Sequence, residues 1–333
     1  MTMPQDHEQP ATGVTAPASE WAMESAATGR NAGRKLLRDV RVITHCVADL
    51  ELAVASWSQW LGYRVIARGE LPPALCAAWQ APAAAGLPWC LLEPASGQPC
   101  FIRFIGTGLA GGYGPPATWG WNATELLVLD PDALALQLRG SPFRILGGPG
   151  NLYPHEKAPR AMQVRGPSGE LVYFTRILPG GSRYGMKGAR SPVDRAFIVT
   201  CGGPSLDTMQ DFYGGELGLR VMDRMPFLNA ILADACGVSR QTIFPTSVAR
   251  IPGRSHLVEM DEYPPHTQPR TVAPGELPGG MAMVGFQVAD LAEGALPLRA
   301  PPVAIDIAPY AGRRVAAITG AAGEWIELIE DAG

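Results

Sequence analysis

With 333 residues, 47% of them apolar and 17% charged, the chain can build two domains with real cores and is too apolar to be generally disordered. A formal net charge of −4 with no long basic block argues against nucleic acid or an anionic membrane surface as the partner. No apolar run is long enough to span a bilayer as a helix.

Residues 1–38 read as a flexible leader rich in Ala, Pro and Thr, without the layout of a secretion signal. The six cysteines contain no C-x-x-C pair and fit reduced, mostly buried thiols in a cytoplasmic protein. From Val40 onward, alternation through Val42, Thr44 and His45 predicts a strand. Asp49 is a helix N-cap, Leu50, Val54, Trp57 and Leu61 recur at helical spacing, and Gly62 is the stop. Strands at 63–67, 89–92 and 100–105 complete a β-α-β-β-β unit.

That unit repeats. Val42-Ile43-Thr44-His45 aligns with Ile198-Val199-Thr200-Cys201 at an offset of 156, and the same offset carries Asp49 onto Ser205 and Leu61-Gly62 onto Leu217-Gly218. Two further segments match each other: Leu136 to Arg139 over Leu296 to Arg299, and Gly169-Glu170 over Gly323-Glu324. The chain therefore holds four related modules, near 39–110, 119–178, 194–264 and 280–330, each predicted as strand, short helix and three strands. The expected organisation is a two-module domain over 39–178, a Gly/Pro/Arg-rich linker over 179–193 and a second two-module domain over 194–333. Two apolar insertions, 72–81 and 227–235, fall between the second and third strands of their modules and are predicted helical, as core padding or as lids over a pocket.

Four consecutive modules of this kind resemble the vicinal oxygen chelate superfamily, which includes glyoxalase I, bleomycin-resistance proteins and extradiol dioxygenases. The resemblance covers about residues 39–330, and the four-module layout is most like the extradiol dioxygenases. It implies an α+β fold in which βαβββ modules pair into two half-open β-barrel domains. It also implies metal-ligand positions in the first and last strands of each module. Here those are Val42, Ala123, Ile198 and Met283 in the first strands, and Arg103, Tyr173, Glu259 and Glu327 in the last. No first-strand position carries His or Gln, so the resemblance does not bring an iron site with it. No cofactor is expected; two Glu leave room only for a weakly held divalent metal such as Mg²⁺ or Mn²⁺.

Strand alternation turns Glu327 away from Ile326 and Leu328. If the resemblance holds, Glu327 and Glu259 share a cleft as catalytic base and acid, one with a raised pKa. The bland alternative pairs each with an arginine such as Arg313 or Arg314. Arg103, Tyr173, Thr200, Met283, Arg314 and Trp79 are the candidate substrate contacts, with Arg103 and Tyr173 suited to a carboxylate or enolate. Arg103 could instead form a structural pair, for example with Glu125. His45 falls on the opposite face and is expected beneath the helix; His155 reads as a surface residue.

These features fit a metal-independent lyase or isomerase that moves a proton on a small aromatic or apolar organic acid or ketone. The alternatives are a non-catalytic small-molecule binding protein of the bleomycin-resistance type, and an extradiol-type or glyoxalase-like enzyme with a non-standard metal set. The expected partner is a small molecule, not nucleic acid or membrane, with a homodimer as a further option.

Overall fold

The computed structural model describes residues 31–108, 114, 116–181, 185–253 and 256–331. The first module runs β1 (Leu37–Val47), α1 (Leu50–Leu61), β2 (Arg64–Glu70), α2 (Pro73–Ala78), β3 (Pro88–Glu93) and β4 (Phe101–Gly106). The second runs β5 (Gly120–Val128), α3 (Pro131–Gln137), β6 (Arg144–Asn151), β7 (Arg160–Arg165) and β8 (Leu171–Arg176). In the third, β9 (Val193–Gly203) leads to α4 (Leu206–Gln210), which continues as a π-helical turn (Asp211–Glu216). That module goes on through β10 (Arg220–Val221), β11 (Met225–Leu228), α5 (Ala230–Cys236), β12 (Ile243–Ile251) and β13 (His256–Glu262). The fourth comprises β14 (Gly280–Val288), a 3₁₀ turn (Glu293–Ala295), β15 (Val303–Ile305), β16 (Arg313–Thr319) and β17 (Trp325–Glu330).

The local signals explain these boundaries. Asp49 accepts the Leu52 amide at 2.9 Å, an N-cap of a kind that contributes about 1 kcal/mol. Gly62 closes α1 at φ 70°, a left-handed conformation that side chains resist. The fourth module departs from the prediction. Its helix shrinks to a single turn around Gly294 at φ 81°, because Pro297, Pro301 and Pro302 follow and cannot extend it.

The modules curl into two half-barrel sheets, as predicted, but do not pair in chain order. One eight-stranded sheet joins the first module to the fourth through antiparallel β1 and β14; the other joins the second to the third through β5 and β9. The consecutive spans 39–178 and 194–333 are therefore not the units of sheet formation. Within each half of the chain the modules are instead tied across the gap between sheets. Trp57 on α1 donates to Glu170 at 2.9 Å, and Tyr213, its counterpart at the 156-residue offset, donates to Glu324 at 2.8 Å. Helices α1, α3 and α4 lie between the sheets in one core that includes Trp57, Trp121, Leu206 and Phe286.

The predicted leader also ends earlier than residue 38. Asn31 is buried, its amide donating to the carbonyls of Glu216 and Gly294 at 2.9 and 3.0 Å, and Leu37 already belongs to β1. The rest of the leader, 1–30, lies outside the described residues. All six cysteines are buried and form no disulfide. No helix among the described residues is long and apolar enough to cross a membrane.

Candidate functional site

The two sheets enclose very different interiors. Inside the first, the insertion after β2 folds inward as α2 and drives Trp79 onto Glu327, with the indole Nε1 donating to Oε1 at 2.9 Å. Tyr310 donates to the same oxygen at 2.6 Å. Arg103, on β4, faces Glu327 at 3.3 Å, donates to Thr44 Oγ1 from Nε and Nη2 at 3.0 and 2.7 Å, and hydrogen-bonds the Tyr310 hydroxyl. Its guanidinium lies 4.7 Å from the Trp79 ring centroid. Burial works against the Arg103 charge, but Glu327 and Tyr310 outweigh it and raise its pKa. A buried ion pair survives only when further hydrogen bonds satisfy its remaining valences, and this one has them. Gly285 lies opposite Glu327, where a Cβ would come within 2.6 Å of Oε2. Trp79, Arg103, Met283, Tyr310 and Glu327 are all at most 1% exposed, so this barrel is filled.

The second half-barrel is hollow. A cavity of about 180 Å³ lies on its inner face. Its polar lining includes Glu125, Gln163, Tyr173, Thr200, Asn229 and Glu259; apolar walls come from Ile198, Phe197, Met225 and Phe227, among others. No Lys or Arg among the described residues lines it. Register explains the convergence. Glu259 on β13 lies opposite Thr200 on β9, and Glu125 on β5 lies opposite Tyr173 on β8, which in turn lies opposite Gln163 on β7. The insertion that fills the first barrel is split here into β11 and α5. Asn229 caps α5 by accepting the amides of Ile231 and Leu232, both at 3.1 Å, and lines the cavity beside Tyr173.

This interior shifts the acids strongly. Burial pushes the Glu259 carboxyl well above its usual range, and Asp261 and Glu125 add like-charge repulsion. Burial lifts Glu125 to about 7, opposed by a hydrogen bond from Thr175. Asp261, on the same face of β13 as Glu259, rises to about 6 through burial while accepting from Thr246 at 2.6 Å. Burial also raises the Tyr173 phenol, partly offset by its hydrogen bond with Asn229.

The predicted site residues thus separate. Glu259, Tyr173 and Thr200 meet around the cavity. Glu327, Arg103, Met283 and Trp79 pack together in the other barrel, so Glu327 and Glu259 do not share a cleft. The error follows from the module pairing, since the two Glu belong to neighbouring modules that form different sheets. Arg314 is half exposed and holds Glu330, with Nε 2.6 Å from Oε2; Arg313 donates to the carbonyl of Tyr310 at 3.0 Å. Neither reaches Glu259 or Glu327. Glu125 is not the partner of Arg103 but an acid of the second barrel. It sits two residues past Ala123 on the same strand face, so alternation alone could have nominated it. His45 is buried on the far side of β1, 5.7 Å from Phe104, and held down to about 3 by burial. His155 is exposed, with Nδ1 accepting from the Lys157 amide at 3.1 Å.

The metal-ligand positions implied by the resemblance do not fit a tight metal site. In the first barrel, Glu327 is taken up by two side-chain donors, Trp79 and Tyr310, and by the Arg103 guanidinium. In the second, Ala123 and Ile198 have no donor atom, leaving Glu259 with Tyr173. No group of three or more His, Cys, Asp or Glu among the described residues could hold a metal ion.

No protein-family model matches the sequence, and no curated protein matches it. Solved structures do. Glyoxalase I from Zea mays matches with a TM-score of 0.56 at 12% identity, covering 88% of this chain and 92% of that one. A Bacillus subtilis protein named as a candidate dioxygenase matches with a TM-score of 0.56 at 14% identity, covering 90% and 87%. At such identities the likeness concerns architecture, and it agrees with the two curled sheets built from four modules. The chain has the vicinal oxygen chelate fold in its four-module form.

Proposed function

We infer that the second barrel is the working site of a metal-independent isomerase or lyase that moves a proton on a small aromatic or apolar ketone. One observation carries this reading: two carboxyl groups, raised by burial and unaccompanied by any lining Lys or Arg among the described residues, face one apolar cavity that also holds a phenol. Glu259, whose carboxyl burial holds well above its usual range, donates in its protonated form a hydrogen bond to the ketone oxygen, assisted by the Tyr173 hydroxyl. Glu125 titrates near neutrality, where a general base is most effective, and takes the proton from the carbon beside the carbonyl. Returning that proton to another carbon isomerises the substrate; expelling a group from the next carbon completes an elimination. Glu125 thereby takes the role that the sequence assigns to Glu327. Thr200 and Gln163 supply further hydrogen-bonding groups, and the phenyl and thioether walls accept an apolar body.

The apolar majority of the walls also suits a binding protein that needs no catalyst, and one experiment separates the two. Butyrophenone is incubated with the protein in D₂O, and NMR follows deuterium uptake beside the carbonyl. Protein-dependent uptake that falls by about 10²-fold or more in Glu125→Gln and in Glu259→Gln supports proton transfer. Tight binding with no uptake overturns it in favour of sequestration.

A further inference from the structure

The inner face of the second sheet does not end at its acids. One cross-strand row runs Arg220, Arg250, Leu257, Ile198, Glu125 and Tyr173, each residue registered opposite the next across β10, β12, β13, β9, β5 and β8. Directly opposed residues of neighbouring strands share a face, so the two arginines continue the surface that carries Glu125 and Tyr173. They line a second hollow of about 230 Å³, together with Lys35 and His256. This hollow abuts the first, because Met186 and Leu257 line both. Three strand spacings separate Arg250 from Glu125, about 14 Å along the sheet, roughly the reach of a small elongated molecule.

Arg220 and Arg250 stand opposite each other on neighbouring strands, so one anion can accept hydrogen bonds from both side chains. Each arginine also has a contact within the protein, which an arriving anion would share or displace. The planar guanidinium fork matches carboxylate and phosphate oxygens.

We propose that Arg220 and Arg250, with Lys35, form an anion subsite at the mouth of the cavity. The ligand is then a small molecule with a carboxylate or phosphate at one end. Its apolar body crosses Leu257 and Met186, and its hydrogen-bond acceptor lies at Glu259 and Tyr173. The identity of the reacting end rests on the proton-transfer reading; the subsite itself does not. The sequence assigns anion binding to Arg103, which is sealed in the other barrel; the sheet register moves that duty to residues 220 and 250.

The test compares 3-benzoylpropionate with butyrophenone, which has the same ketone and ring and a methyl group in place of the carboxylate. Calorimetry on the full chain at low salt should show the acid binding about tenfold more tightly or better. That advantage should shrink as salt rises. In Arg220→Gln/Arg250→Gln the advantage should vanish while butyrophenone binds as before, which also shows that the variant is folded. Equal affinities in the unaltered protein, or an advantage that survives in the folded double variant, would overturn the subsite. Inorganic phosphate and acetate serve as competitors in the unaltered protein, independently of any substitution. Displacement of the acid but not of butyrophenone by either one supports the subsite, and the stronger competitor names the preferred head group. Displacement by neither contradicts it. A protein that prefers the acid yet exchanges no deuterium keeps the subsite and loses the reaction, so the two proposals fail separately.

Discussion

Glu327 and Glu259 occupy corresponding places in the last strands of two modules, and the two barrels treat them in opposite ways. Glu327 is at 0% exposure, with a guanidinium beside it and two side-chain donors on one oxygen. Glu259 is half-buried beside Asp261 and Glu125, and burial holds it well above the ordinary carboxylate range. The first arrangement satisfies a charge and locks it; the second suppresses a charge and leaves a proton available. The difference comes largely from one insertion. The first barrel's insertion brings Trp79 inward as a plug, whereas the second barrel's forms β11 and α5, whose Phe227 and Asn229 line an open wall. One architecture thus yields a structural pin and a pocket, according to what fills the curl.

Substitution at those two positions should have effects of opposite sign. Glu327→Gln leaves Arg103 buried without its counter-charge and should destabilise by about 3–5 kcal/mol in urea unfolding. Glu259→Gln removes a carboxyl that resists ionisation and should leave stability at pH 8 unchanged or raised by about 1 kcal/mol. Similar losses at both positions would erase the distinction. Trp79→Ala should cost about 3–5 kcal/mol by opening a void and removing a donor from Glu327. The corresponding change on the hollow side, Phe227→Ala, should cost less, because its ring borders a cavity already present.

Acidity sharpens the contrast further. Glu125 and Glu324 sit at about 7 against an ordinary 4.5, and Asp261 at about 6 against 3.8. The folded protein therefore binds more protons than the unfolded chain between those limits. The contribution of these groups is most favourable below about pH 4, falls as pH rises to about 7, and then levels off. Glu125→Gln should flatten that fall by about 1–3 kcal/mol, measured as urea midpoints across the pH range. An unchanged slope would mean that Glu125 is not held up by its surroundings. The smallest expected effect is at Arg314, whose ion pair with Glu330 is half exposed. Arg314→Ala should shift stability by no more than about 0.5–1 kcal/mol and leave ligand binding unchanged.

Much of the fold was readable because caps and periodicity are local. Asp49, Gly62 and Ser205 mark helix ends within a few residues, and the 156-residue offset exposes the duplication. The pairing of modules was not readable. It depends on which strand edges meet, and β1 with β14 or β5 with β9 looks no different from the alternatives in a row of degenerate repeats. That missing step put Glu327 and Glu259 in one cleft, whereas Arg103 and Glu327 meet across 224 positions of sequence because the first and fourth modules share a sheet. Alternation turned Glu327 away from Ile326 and Leu328 but could not tell a filled barrel from a hollow one. That depends on whether a side chain such as Trp79 arrives from an insertion. Arg220 and Arg250 escaped notice because their alignment across β10 and β12 exists only in the folded sheet.

The central claim is that ligands enter the second barrel and not the first. A crystal structure of the full chain with 4-bromobutyrophenone, its bromine located by anomalous scattering, tests this directly. The account predicts bromine in the cavity bounded by Glu125, Tyr173 and Glu259, with Trp79 still hydrogen-bonded to Glu327. Bromine in the first barrel, with Trp79 displaced from Glu327, would contradict it.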